Sequence, residues 1–368
     1  MKKNSRDEEV LAEAAVASIS NHERCMRDTG SRGVGYKLKY IIWYFILIFV
    51  SPYKTVTSDK FIGAMTPVNE KRLKSFCKSD EYYSFARLNS KLRDMKSNRS
   101  ILSPLKLRER IKLTINAISF YFRHKQRLNG NLHYILEYYA IAEFMIRFRP
   151  KEVISPCLYD RYCTLLSYLA HGYEILTIGV QDGAAININV PYKIYCDKMY
   201  AFDDYEAGVI KKFIKNDDCK FEMTGFVSYL HWAAYPKKQK KVIAIASQDW
   251  FVDRTMELIE RMAGALCEDE FDLIVYPHYR ESISQYKEIR NRFPGIKIET
   301  EVRHSNIDLL VTFYSTIVYD FWSVSSNLKV ACIQIPGYSP TYYGRENVKV
   351  FCSSEELIQY IKSDILIK

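Results

Sequence analysis

Three short stretches place side chains capable of chemistry directly after apolar runs of strand character. The first is GVQDGAA at 179–185, where Gly179 and Gly183 flank Gln181 and Asp182. A carboxylate held at a strand tip can take a proton from an acceptor hydroxyl. The same residues also suit a plain turn, in which Asp182 caps its own backbone and Gly183 supplies a positive φ. The second is LIVYPHYRE at 273–281, where a strand ends at Pro277 and His278 and a charged segment follows. A histidine there can donate a hydrogen bond to a phosphate or leaving-group oxygen, and its charge is tunable near neutral pH. A surface histidine after a helix-breaking proline also accounts for it. The third is LLVTFYSTIVYDF at 309–321, where a buried strand runs into Ser315 and Thr316 at a helix start. Hydroxyls and free backbone N–H groups at such a start bind anions, although a serine N-cap is also common without a ligand.

Other chemistries lack their signatures. No Walker loop, GxGxxG, HExxH or GxSxG occurs, which counts against NTPase, dinucleotide oxidoreductase, zinc protease and α/β-hydrolase functions. The acidic pairs Asp203–Asp204 and Asp217–Asp218 lie in or beside a polar helical segment, so they read as solvated faces rather than metal ligands. The nine cysteines are scattered, with no CxxC pair and no His/Cys cluster at metal spacing. They read as reduced, mostly buried thiols of a cytoplasmic protein. No metal and no cofactor is expected.

The three tips need strands to carry them. Strands are expected at 151–155, 174–180, 198–202 and 220–226 and helices at 159–173 and 204–215, an alternation of βαβ type. The pattern restarts with strands at 241–247, 271–277, 295–300, 307–313 and 329–335 and helices at 252–267, 282–293 and 315–325. That describes a doubly wound parallel sheet. A last helix over 353–365 opens with a Ser353-to-Glu356 capping box. The chain of 368 residues exceeds a usual single core. The expected division is a polar lead at 1–36, an N-terminal α/β domain at 37–228, a linker at 229–240 and a C-terminal Rossmann-like domain at 241–368. The fold class is α/β, with two Rossmann-like domains facing a cleft. Ligands of open α/β sheets sit outside the carboxyl ends of the strands.

Charge points to an anionic partner. The net charge is +10, and residues 91–127 hold eleven Lys/Arg against only Asp94 and Glu109. Nucleic acid, anionic lipid and a polyanionic glycan would each satisfy such a patch, as would a solvated helix face. No zinc-knuckle or RNP-type motif supports nucleic acid. The unbroken apolar run from Tyr40 to Val50 has 11 residues, too few for a helical crossing, which takes about 20. A signal peptide would carry its apolar stretch nearer the start. The run is therefore a buried element of the first domain or an interfacial anchor.

Taken in order, the tips resemble the bacterial sialyltransferases and polysialyltransferases of the GT-B type, with the CDP-glycerol glycerophosphotransferases as relatives. The resemblance covers roughly 150–350. It rests on an acidic-acidic-Gly or Gln-His-Gly turn, a His-Pro strand tip and a Ser-Ser pair opening a helix. The matching positions are Gln181–Asp182–Gly183, His278–Tyr279 and Ser315–Thr316. Gln181 replaces the first acid, Tyr279 stands where proline is usual, and Thr316 replaces the second serine.

The resemblance implies an inverting, metal-independent glycosyltransferase. In it Asp182 is the base, His278 assists departure of the nucleotide phosphate, and Ser315, Thr316, Tyr279 and Glu281 bind the donor. Asp182 and His278 fall in different domains, so domain closure would assemble the site. Asp182 in the second place of its motif favours a CMP-linked, sialic-acid-type donor, while Gln181 resembles the glycerophosphotransferase side, which uses CDP-linked polyols. The acceptor would be a capsule polysaccharide or lipooligosaccharide, met at the inner face of the cell membrane through 91–127 and 40–50. A peripheral membrane or polyanion-binding protein without chemistry is the non-enzymatic alternative.

Overall fold

The computed structural model describes residues 5–26, 34–51, 53, 58–63, 73–77, 82–84, 101–102, 104–128, 131–156, 161–181, 190–226, 228, 230–236, 240–248, 251–266, 270–278, 281–336 and 339–366. The described residues divide into two units, one reaching Met223 and the other beginning at Thr224. Each is built on a six-stranded sheet in which every pairing is parallel. The α/β class expected from the alternation of apolar runs is the one the chain adopts.

The first unit opens with helices α1 (Ser5–Met26) and α2 (Val34–Val50), followed by strands β1 (Lys60–Ile62) and β2 (Tyr83–Ser84). Helices α3 (Leu107–Arg123), α4 (Lys125–Leu128) and α5 (Leu132–Phe148) come next, then β3 (Glu152–Ser155), α6 (Arg161–Gly172), β4 (Leu176–Val180), β5 (Lys198–Ala201), α7 (Asp204–Ile210) and β6 (Lys220–Met223). The strand order is β2-β1-β3-β4-β5-β6. Alternate side chains serve opposite faces of the sheet. Phe61 and Val153 join a core with α1, α5 and α6, whereas Ile62, Ile154, Ile178 and Val180 pack with Leu73 and Tyr82. Burial on both faces is why these strands read as continuous apolar runs.

The polar lead is not peripheral to this unit. Leu11, Ala12, Ala14 and Ala15 of α1 are fully buried. Ser18 Oγ donates to Arg161 O at 2.5 Å, and Asn21 Nδ2 donates to Thr164 Oγ1 at 3.0 Å. Small residues let α1 lie close to α6, and a Cβ on Gly172 would come within 2.4 Å of a Val10 methyl. An alanine-rich face of this kind is apolar without being strongly hydrophobic, so composition alone makes it look like a tail. Helix α2 takes up the Tyr40–Val50 run: Tyr44, Leu47 and Ile48 are buried, and the opposite side of the helix is exposed. Among the described residues no helix is long and apolar enough to cross a membrane.

The second unit contains β7 (His231–Ala233), β8 (Lys241–Ala246), α8 (Val252–Ala265), β9 (Phe271–Tyr276), α9 (Lys287–Arg292), β10 (Lys297–Ile298) and β11 (Val302–His304). It continues with β12 (Leu309–Thr312), α10 (Ile317–Val324), β13 (Lys329–Ile333), β14 (Val348–Phe351) and α11 (Ser354–Tyr360). Its main sheet has the order β10-β9-β8-β12-β13-β14. The Ser353 cap forms as expected, accepting from Glu356 N at 3.2 Å. The segment expected as a linker, 229–240, instead carries β7, which pairs with β11 in a small parallel sheet. Trp232 lies edge-on to Phe321, and Tyr235 is buried, with its N–H donating to Asn306 Oδ1 at 2.7 Å and its hydroxyl to Asp272 Oδ2 at 2.9 Å. Aromatic burial integrates a stretch whose lack of periodicity suggested a connector. Cys77, Cys163, Cys196 and Cys332 are buried and Cys352 is exposed.

Candidate functional site

In the second unit three neighbouring strands end level with one another. Ala246 pairs with Tyr276 on one side and with Thr312 on the other, so β9, β8 and β12 reach the same height before the chain leaves the sheet. Neighbouring strands are about 4.8 Å apart, so the three tips span about 10 Å. Between β8 and β12 the order of the strands reverses, since β9 and β10 run outward on one side and β12, β13 and β14 on the other. Chain departures on both sides of such a switch point leave a crevice at the carboxyl edge.

At the end of β9, Tyr276 and Pro277 are buried and His278 is half-buried. The Tyr276 hydroxyl accepts from His304 N at 3.1 Å, and burial pushes its pKa up to about 12. Tyr279 lies outside the described residues. Glu281 N donates to His278 O at 2.8 Å, which closes the loop. The Glu281 carboxylate accepts from Ser247 Oγ at 2.8 Å and 3.0 Å and from the Tyr286 hydroxyl at 2.5 Å. Burial and the hydrogen bond to Glu281 both raise the Tyr286 pKa, so this phenol remains a donor.

At the end of β12, Thr312 Oγ1 donates to Ala246 O at 3.1 Å and accepts from Ser315 N at 3.2 Å. Ser315 is buried, and its Oγ accepts from Ile317 N at 3.3 Å in the first turn of α10. That bond uses a lone pair, and the hydroxyl hydrogen is a separate donor capacity. Thr316 is exposed at the N-cap position and makes no side-chain cap bond. The Tyr342 hydroxyl donates to Ser315 O at 3.3 Å and that of Tyr343 to Phe313 O at 2.6 Å, so the turn before α10 is braced from behind.

In the first unit the tip of β4 is anchored at Gln181. This residue is buried; its Nε2 donates to Glu206 Oε2 at 3.0 Å, and its Oε1 accepts from Phe202 N at 3.0 Å. Glu206 is itself fully buried on α7, with its N–H capped by Asp203 at 2.9 Å. Gln181 thus ties β4 to α7, and its amide is committed to the scaffold. Asp182 and Gly183 lie outside the described residues. Gly179 is a packing glycine, since a Cβ there would meet the Met199 sulfur at 2.5 Å.

The second unit therefore brings His278, Glu281, Ser315 and Thr316 to one edge of one sheet. Ser247 and Tyr286 were not singled out from the sequence, although Ser247 follows the first strand after the restart and that position was a usable signal. Arg303 and His304 on β11 were missed too. Both are buried, Arg303 lies 4.6 Å over the Tyr276 ring, and neither ring nitrogen of His304 has a hydrogen-bond partner among the described residues. Burial lowers the pKa of both groups. Among the described residues no group of three or more His, Cys, Asp or Glu side chains could hold a metal ion.

No protein-family model matches the sequence, and no curated protein does. Solved structures do resemble it in fold. Against MnaA of S. aureus in complex with UDP, the identity is 12% and the TM-score 0.45, covering 83% of this chain and 87% of that one. For the UDP-GlcNAc 2-epimerase of Methanocaldococcus jannaschii the values are 11% and 0.43, over 84% and 92%. For the calicheamicin glycosyltransferase CalG4 they are 9% and 0.41, over 74% and 71%.

Proposed function

We propose that the protein is a glycosyltransferase that moves a sugar from a nucleotide donor to a glycan or glycolipid acceptor. The observation that carries this reading is the level edge of β9, β8 and β12, with His278, Ser247, Ser315 and Thr316 gathered where the strand order reverses. In open parallel sheets that is where a nucleotide is held. Ser315 and Thr316, at the start of α10, bind the donor phosphate, because hydroxyls and helix-start amides complement its charge. His278 donates to the phosphate oxygen that becomes the leaving group. Tyr279 contacts the donor, and Glu281 holds the loop that carries both.

The acceptor hydroxyl attacks the anomeric carbon and passes its proton to Asp182. The bond from that carbon to the phosphate oxygen breaks, and its electron pair leaves with the nucleotide. One displacement inverts the anomeric centre. Negative charge grows on the phosphate, where preorganised donors stabilise the transition state without a metal ion. Asp182 in its turn favours a CMP-linked, sialic-acid-type sugar. Gln181 ahead of it favours a second reading, transfer of a polyol phosphate from a CDP-linked donor.

A melting-temperature panel with CMP, CDP, UDP and GDP tests these readings. A nucleotide present at a hundred times its dissociation constant stabilises the folded chain by about 2.7 kcal/mol. CMP should give the largest shift, whereas a larger one with CDP would favour the polyol phosphate donor. A shift with UDP or GDP alone would remove both cytidylate donors, and none with any of the four would sink the transferase reading.

A further inference from the structure

We infer that one face of the α2–α3 helix pair docks onto an anionic lipid surface. The buried side of α2 is Tyr44, Leu47 and Ile48. The other side shows Leu38, Ile42, Phe45 and Phe49 to solvent, with Phe49 63% exposed. Their spacing of four, three and four residues is that of one helical stripe. A matching stripe on α3 comprises Leu107, Ile111, Ile115 and Phe122, of which Ile115 is 62% and Phe122 64% exposed. Single exposed apolar residues need no explanation, but two stripes on packed helices form a patch that does.

The two helices are fastened to each other. Arg110 of α3 is buried, and its Nη1 donates to Ile48 O at 3.0 Å and to Ser51 O at 2.6 Å. Thr114, one turn further on, is also buried, and its Oγ1 donates to Arg110 O at 2.9 Å. Ile111 and Ile115 directly follow Arg110 and Thr114, so the exposed stripe of α3 adjoins the edge that grips α2.

Charge selects the occupant. Lys37 and Lys39 bracket Leu38, Lys106 and Arg108 bracket Leu107, Lys112 follows Ile111, and Lys125 and Arg127 come just after Phe122; all are exposed. Glu109, the acid within this stretch, is paired to Arg147 at 2.9 Å. Apolar stripes rimmed by cations match a bilayer interface, where side chains enter the acyl boundary and lysines and arginines meet anionic headgroups. A second copy of the chain would oppose cation to cation, and a nucleic acid would offer the phenylalanines nothing apolar to enter. α2 has 17 residues, fewer than the roughly 20 that a crossing requires, so it lies on the surface.

Sedimentation of the full chain with lipid vesicles tests the inference without any nucleotide, so its outcome is separate from that of the donor panel. The wild type should pellet with vesicles of phosphatidylcholine plus phosphatidylglycerol, less so at raised salt, and not with phosphatidylcholine alone. The combined variant Ile42→Ser, Phe49→Ser, Ile115→Ser and Phe122→Ser should bind on the order of a hundredfold more weakly. Should that variant fold poorly, Lys37→Gln with Lys39→Gln and Arg108→Gln leaves the apolar stripes whole and should weaken binding about fivefold per charge removed. Equal binding by folded variants and wild type, or no preference for phosphatidylglycerol, would overturn the inference. So would a wild-type dimer that ignores vesicles and that the serine variant converts to monomer.

Discussion

Replacing Glu281 with alanine removes the acceptor shared by two buried hydroxyls. Ser247 Oγ lies 2.8 Å and 3.0 Å from the two carboxylate oxygens, and the Tyr286 hydroxyl donates at 2.5 Å. Each hydrogen bond to a charged acceptor contributes about 1.5–3 kcal/mol, which bounds the loss at about 6 kcal/mol. The actual loss is smaller, because Tyr286 still reaches Ser247 at 2.9 Å and Ser247 reaches Thr255 at 3.3 Å. With those donors partly satisfied, about 2–3 kcal/mol remains. In a unit of roughly 150 residues each kcal/mol moves the melting midpoint by about 2–4 °C, so the expected drop is about 4–12 °C. Glu281→Gln keeps an oxygen acceptor and should stay within about 1 kcal/mol of the wild type. Scanning calorimetry of the full chain reads both variants. If alanine melted with the wild type, or glutamine as early as alanine, the carboxylate would not be what holds the loop behind His278.

Asp182→Ala should abolish sugar transfer while leaving the fold and nucleotide-induced stabilisation intact; near-normal turnover would remove Asp182 as the base. Glu137 and Arg161 form a buried pair at 3.4 Å, and the Tyr162 hydroxyl donates to the same carboxylate oxygen at 2.5 Å. Glu137→Leu removes the carboxylate opposite the buried guanidinium and should cost about 3–5 kcal/mol in urea unfolding. His133 is buried on α5, and burial, reinforced by Arg161, lowers its pKa from 6.5 to about 3. Below about 6.5 the unfolded chain takes up a proton that the folded chain refuses. The contribution of His133 is thus fully present above that pH and declines at about 1.4 kcal/mol per unit as pH falls toward 3. Stability curves of wild type and His133→Gln should diverge over this window, and parallel curves would refute the assignment.

Much of the scaffold is legible without coordinates, because strands buried on both faces must be apolar runs and the helices between them must show one apolar face. The sequence alone sets the α/β alternation from 151 onward, the place of His278 and Ser315 at strand ends, and the Ser353 cap. Elements held by contacts distant along the chain are not legible in this way. The role of α1 depends on small residues meeting α6, and β7 depends on β11, about seventy residues away. Only the tertiary structure decides that Gln181 is a buried clasp to Glu206, that Ser247 and Tyr286 converge on Glu281, and that β9, β8 and β12 end level. Register and side-chain convergence arise from long-range packing, whereas the periodicity of a local stretch reports only which of its own faces is buried.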